Sequence, residues 1–136
     1  MHSGQLKDAF SAVDAELTTL ERGIAGGETP PLAATVERAI ELIKRLFASY
    51  IVDAGEKRAP DAAADILDVF KVLVKGEPTW NAIRDNCREL VYYRNCINMG
   101  REDALPKVPA KMAVRTARHV YLYVKTRCIR EGRLGD

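Results

Sequence analysis

Residues 5–24 read "QLKDAFSAVDAELTTLERGI", and this stretch decides the fold class. Leu6, Phe10, Val13, Leu17, Leu20 and Ile24 recur at steps of 4, 3, 4, 3 and 4. That spacing lays one continuous apolar seam along a helix, with Asp14, Glu16, Glu21 and Arg22 on other faces. The seam predicts a helix that buries one side, in the core of its own chain or against a second copy. "AGGETPP" (25–31) ends it: two glycines stop one helix and Pro30-Pro31 can start the next.

The pattern repeats outward. Residues 31–54 place Leu32, Val36, Ile40, Ile43, Phe47 and Tyr50 on one face, with Gly55 as a C-terminal cap and "EKRAP" (56–60) as a short exposed link. Residues 60–75 open on a proline and acidic residues, as a helix N-terminus should. Ala63, Ile66, Leu67, Phe70 and Val74 form the expected stripe; β-rich residues 72–74 leave a strand open, but no partner strand is visible. Asp65 and Asp68 are read as a solvated face. Pro78-Thr79 opens a fourth helix running to about Met99, which Gly100 closes. After the loop "REDALPKVP" (101–109), residues 110–131 form a fifth, with Val114, Ala117, Val120, Tyr121, Val124 and Cys128 inward and "GRLGD" as a frayed tail. Five amphipathic helices with short connections predict a single all-α domain, an up-and-down bundle opened by an antiparallel hairpin.

Composition agrees. The chain has 136 residues, 47% hydrophobic and 29% charged, the balance of one globular domain. Its three cysteines, Cys87, Cys96 and Cys128, make an odd count without a Cys-x-x-Cys, which points to a reducing compartment and to buried thiols. No apolar run is long enough for a membrane span, and the start lacks a signal-peptide core, so a cytoplasmic location is expected. No cofactor or metal site is expected, because phosphate-loop, Gly-x-Ser-x-Gly, His-Glu-x-x-His and Glu-x-x-His patterns are missing. Net charge is only +2 but uneven: residues 1–80 carry 9 Lys/Arg against 13 Asp/Glu, and residues 81–136 carry 12 against 6. A basic end suits an anionic ligand, an acidic partner, or the acidic half of a second copy in a homodimer; a solvated basic face is the plain alternative.

The functional lead lies in the fourth helix. Trp80, Ile83, Cys87 and Leu90 step toward position 94, and Ile97 follows, so Arg94 occupies a slot the pattern reserves for a core residue. A guanidinium there must be paired or face a cleft. Glu37 and Glu41 are the candidate partners for a structural Arg94; a cleft-facing Arg94 would hold an anion such as phosphate, with Asn95 beside it and Asn98 one turn on. In the last helix, Arg115, Arg118 and His119 cluster, with Lys111 one turn earlier and Tyr121 and Tyr123 interleaved, a pattern that can grip RNA by phosphate contact and stacking. The bland reading is a terminal helix with a charged outer face.

A short all-α bundle whose penultimate long helix ends in "YRNCINMG" (93–100) resembles the HEPN family of nucleotide-binding and RNA-cleaving helical domains. In that family an Arg, often followed by Asn, precedes a His by a spacing of four to six residues, and a Gly commonly follows. Arg94, Asn95 and Gly100 match; the His position falls on Met99, Gly100 or Arg101. The resemblance implies a homodimer whose Arg-bearing helices line a shared cleft, and loss of the His implies binding or regulation rather than cleavage. The expected function is a non-catalytic module binding RNA, a nucleotide or a partner protein through Arg94, Asn95, Asn98, Arg115, Arg118 and His119. Two alternatives stay open: a metal-independent ribonuclease in which His119 replaces the motif His, and an adaptor with no nucleic-acid role.

Overall fold

The computed structural model describes residues 2–55 and 60–134. Five α-helices carry the fold: α1 (His2–Ala25), α2 (Leu32–Ala54), α3 (Ile66–Gly76), α4 (Arg84–Asn98) and α5 (Pro109–Arg130). Short 3₁₀ helices at Pro78–Ile83 and Glu102–Ala104 precede α4 and α5. No strand occurs among the described residues, and none of their helices is long and apolar enough to cross a membrane.

The α1 seam faces inward. Leu6, Val13 and Leu17 are fully buried, and Leu20 and Ile24 pack at its edge. α2 buries Val36, Ile40, Ile43 and Phe47 on one side and Ala39, Leu42 and Leu46 beside them, so it is the central helix, touching α1, α3, α4 and α5. α1 and α2 form the expected antiparallel hairpin, tied across by an ion pair between Arg38 and Glu16. α3–α4 and α4–α5 also alternate in direction: Asp65 at the start of α3 meets Arg94 near the end of α4, and Thr116 early in α5 meets Glu89 in α4. Between α2 and α3 the chain returns on itself. Lys44 donates to the Ala62 carbonyl, Phe47 meets Phe70, and Ile51 and Ala54 lie by Leu73 and Gly76, so α3 runs alongside α2 in the same direction.

Three boundaries differ from the sequence reading. α3 begins at Ile66 and not at Pro60. Asp61 turns the chain on itself: its carboxylate accepts from the Ala63 N–H and its carbonyl from the Ala64 N–H, a local competitor to helix. Asp65, extended at ψ 156°, is the residue from which α3 starts, so Ala63 is exposed and the buried stripe is Ile66, Val69, Phe70 and Leu73. Residues 72–74 are helical. Pro78–Ile83 is a 3₁₀ helix whose first turn is held by the Glu77 carboxylate, which accepts from the Thr79 N–H. The frayed tail is also corrected: Leu134 packs on the core and Arg133 is tied to Asp53 and Glu131, while residues 135–136, like 56–59 of the "EKRAP" link, lie outside the described residues.

Past the end of α4, Gly100 turns the chain (φ 70°), and the Arg101 N–H returns to the Cys96 carbonyl at 2.7 Å. At the start of α5 the chain accepts a poorer geometry. Val108 sits at φ 46°, ψ 56°, a left-handed conformation unfavourable for a β-branched residue, with its side chain largely exposed. Relief of roughly 1–2 kcal/mol of strain, less roughly 0.5–1 kcal/mol for glycine's greater chain entropy, sets the balance. Val108→Gly should therefore raise stability by up to about 1 kcal/mol in urea melts. A loss instead would mean that the Val108 side chain is anchored by packing.

Candidate ligand cleft

Arg94 is paired, but not with Glu37 or Glu41. Its Nη1 donates to Asp65 Oδ1 at 2.6 Å and its Nη2 to Oδ2 at 3.4 Å. The guanidinium thus holds the end of α4 against the start of α3. Hydrogen bonding from Arg94, working against burial, keeps the Asp65 carboxyl below its ordinary range. Asn95 and Asn98 are exposed on the same helix. Arg118 is likewise committed internally: it donates to Asp14 at 2.7 Å, to both Glu21 oxygens, and to Thr18, clamping α5 to α1. Arg115 and His119 are exposed on α5. The six expected ligand residues therefore do not converge: Arg94 points to α3, Arg118 to α1, and the other four lie in solvent. The features that suggested a symmetric pair are also satisfied within one chain. The α1 seam is core, and Glu16, Asp14 and Glu21 already face Arg38 and Arg118.

The polar convergence lies elsewhere, at the end of the bundle where α2 and α5 finish. The 3₁₀ helix drives Trp80, 1% exposed, between α2 and α5, edge-on to Phe47, Tyr50 and Tyr123 at centroid distances of 6.3, 5.0 and 5.8 Å. Arg127 lies over the indole at 4.3 Å and donates from Nη1 to Thr79 Oγ1 at 2.9 Å. Arg133 stacks on Tyr50 at 4.7 Å and donates to Glu131 at 2.6 Å and to the buried Asp53 carboxylate at 3.1 Å. Tyr50 completes the ring by donating to Glu131 at 2.7 Å. Burial opposes the charge of Glu131, but hydrogen bonds from Arg133 and Tyr50 prevail and hold its carboxyl below the usual range. Both arginines sit at helix C-termini, the end that favours cations.

Beside this network opens a cleft of about 270 Å³. Ile51, Ala54, Val72 and Leu73 give it an apolar wall; Arg127, Glu131, Arg133 and Glu77 form the polar side. One donor beneath that side lacks a well-aligned hydrogen bond. Arg127 Nε is 3.2 Å from Glu131 Oε2, close enough for charge attraction, yet the approach is off the N–H axis and no hydrogen bond forms. The Arg127 side chain is nine-tenths buried, so the Glu131 carboxylate is what compensates this N–H.

The sequence reading placed Trp80 in the core and passed over Arg127. A signal was present. Val120, Val124 and position 127 step by 4 and 3, so Arg127 fills an apolar slot just as Arg94 does; Cys128, next to it, satisfied the pattern and hid the anomaly. The three cysteines are buried as expected, and burial pushes the Cys87 and Cys128 thiols up to about 12. Comparison of the chain with protein-family models, with curated proteins and with solved structures finds no match.

Proposed function

We propose that this protein is a non-catalytic binding module that holds a small carboxylate-bearing ligand in the Trp80–Arg127 cleft. The observation that carries the reading is the make-up of the cleft, with the Arg127 and Arg133 side chains on one side and Ile51, Ala54, Val72 and Leu73 on the other. Guanidinium groups hold carboxylates by charge-assisted hydrogen bonds, which is the chemistry these two side chains bring to the cleft. The opposite wall is aliphatic, so the complementary molecule has an apolar body and one anionic end. At roughly 30 Å³ for each non-hydrogen atom, by analogy with water, a cleft of about 270 Å³ takes a ligand of hexanoate size. A whole nucleotide exceeds that volume, so the anionic-ligand expectation is kept and its size reduced. One chain builds the cleft, and the reading needs no second copy.

Trp80 is the only tryptophan, so its fluorescence reports on the cleft directly. Titration with the monocarboxylates from butyrate to octanoate at constant ionic strength should give a saturable change in its emission and a rise in melting temperature. Hexanamide should bind more weakly than hexanoate, and Arg127→Met should remove the difference. Absence of a saturable response to every acid, or an undiminished response in Arg127→Met, would overturn the assignment.

A further inference from the structure

A second surface, on the far side of α3, has a different character. Leu67, Phe70 and Val74 floor a groove of about 370 Å³ between α3 and the start of α4. Its rim is basic on both sides: Lys71 and Lys75 on α3, Arg84 and Arg88 on the facing helix. Each pair stands at i,i+4, an arrangement that repels itself by a few tenths of a kcal/mol in an isolated helix. Elsewhere the arginines Arg94, Arg118 and Arg133 are neutralised by carboxylates at 2.6–3.1 Å. The rim lacks that. Lys71 reaches only Asp68, and Arg84 only its neighbour Asp85, each at 3.9 Å with exposed carboxylates. Among the described residues no carboxylate lies within 4.0 Å of Lys75 or Arg88.

We infer that this groove docks an acidic amphipathic helix from a partner protein. Apolar side chains at i, i+3 and i+4 of the incoming helix would cover Leu67 and Val74, while carboxylates on its flanks would meet the two basic rims. Charge complementarity selects the occupant. A second copy of this chain fits poorly, because the acidic residues Asp14, Glu16 and Glu21 of α1 already face Arg118 and Arg38. RNA fits poorly as well: the one aromatic ring in the groove, Phe70, is almost fully buried and offers no face for base stacking.

The test uses a fluorescein-labelled helical peptide with a leucine stripe and glutamate flanks, followed by anisotropy against the full chain. Saturable binding that weakens with salt is expected. Charge reversal by Lys75→Glu with Arg88→Glu, both at exposed positions, should weaken it by about tenfold or more, since each reversal replaces attraction with repulsion. Circular dichroism and melting temperature check that the variant is folded. Arg127→Met, in the other cleft, should bind the peptide normally, which keeps this surface separable from the carboxylate site. An affinity within a factor of about two in the reversal variant, equal binding of a scrambled peptide of the same charge, or preference for polyuridylate or phosphatidylglycerol vesicles would each overturn the inference.

Discussion

Trp80→Ala should cost about 3–5 kcal/mol of folding stability, the range for deleting a large buried aromatic. The indole is fully enclosed, and it is wedged between two packed helices, against Phe47 and Tyr50 from α2 and Tyr123 and Arg127 from α5. Truncation leaves a void among three rings and strips the apolar and π contact from a nearly buried guanidinium. With a total stability of roughly 5–15 kcal/mol for a domain of this kind, the loss is a large fraction of the whole. Urea unfolding followed by circular dichroism measures it, because the variant has no tryptophan to report fluorescence. Trp80→Phe should recover much of the loss by keeping a ring in place. A Trp80→Ala cost below about 1 kcal/mol would mean that this end of the bundle is loosely packed, and the cleft built upon it would go too.

The second large effect belongs to the Arg94–Asp65 pair. Asp65→Ala and Arg94→Ala should each cost roughly 2 kcal/mol, less than a fully buried pair because both side chains keep some solvent, 24% and 37%. Arg94→Met should be milder than Arg94→Ala, since its thioether fills the apolar slot and Asp65 can reach water. The pH dependence has a fixed sign. Arg94 lowers the Asp65 carboxyl pKa in the folded state relative to its ordinary 3.8. The contribution is therefore complete above that ordinary value and fades as pH falls through the lower, folded one. Asp65→Asn removes the titrating group, so the gap between it and the parent protein should be wide at neutral pH and narrow below about pH 4. Urea melts across that range decide it. A gap that does not change with pH would show that Asp65 acts only as the residue that precedes α3.

These two sites mark how far the sequence could be read. Long helices with a pure 3/4 seam were legible, because periodicity reports burial directly: Leu6, Val13 and Leu17 in α1, and Val36, Ile40 and Ile43 in α2, all lie in the core. The short α3 was less so. Pro60 and Asp61 imitate a helix start as well as Asp65 does, and only the turn closed by Asp61 shows which acidic residue is used. That error carried into the next. With the helix begun at Pro60, Asp65 falls in mid-helix and reads as solvated; with it begun at Ile66, Asp65 stands at the helix mouth, where Arg94 reaches it from 29 residues away. The anomaly at Arg94 was visible in the sequence, but its partner depends on how α3 and α4 are laid side by side. The Trp80–Arg127 cleft depends on tertiary placement still more, since it gathers residues from α2, α3, the 3₁₀ helix, α5 and the turn after it.

The position of α5 in the bundle has a consequence for how the protein is made. This helix packs on α1, α2 and α4 and brings Val114, Ala117, Val120, Tyr121, Val124 and Cys128 into the core. A nascent chain that has emerged from the ribosome only as far as α4 already presents the apolar faces of four helices. It lacks Tyr121, the ring partner of Phe10, and the Tyr123 and Arg127 side of Trp80. The core is completed only when α5 docks, so a chain cut before Pro109 is expected to be less protected from proteases than the whole domain.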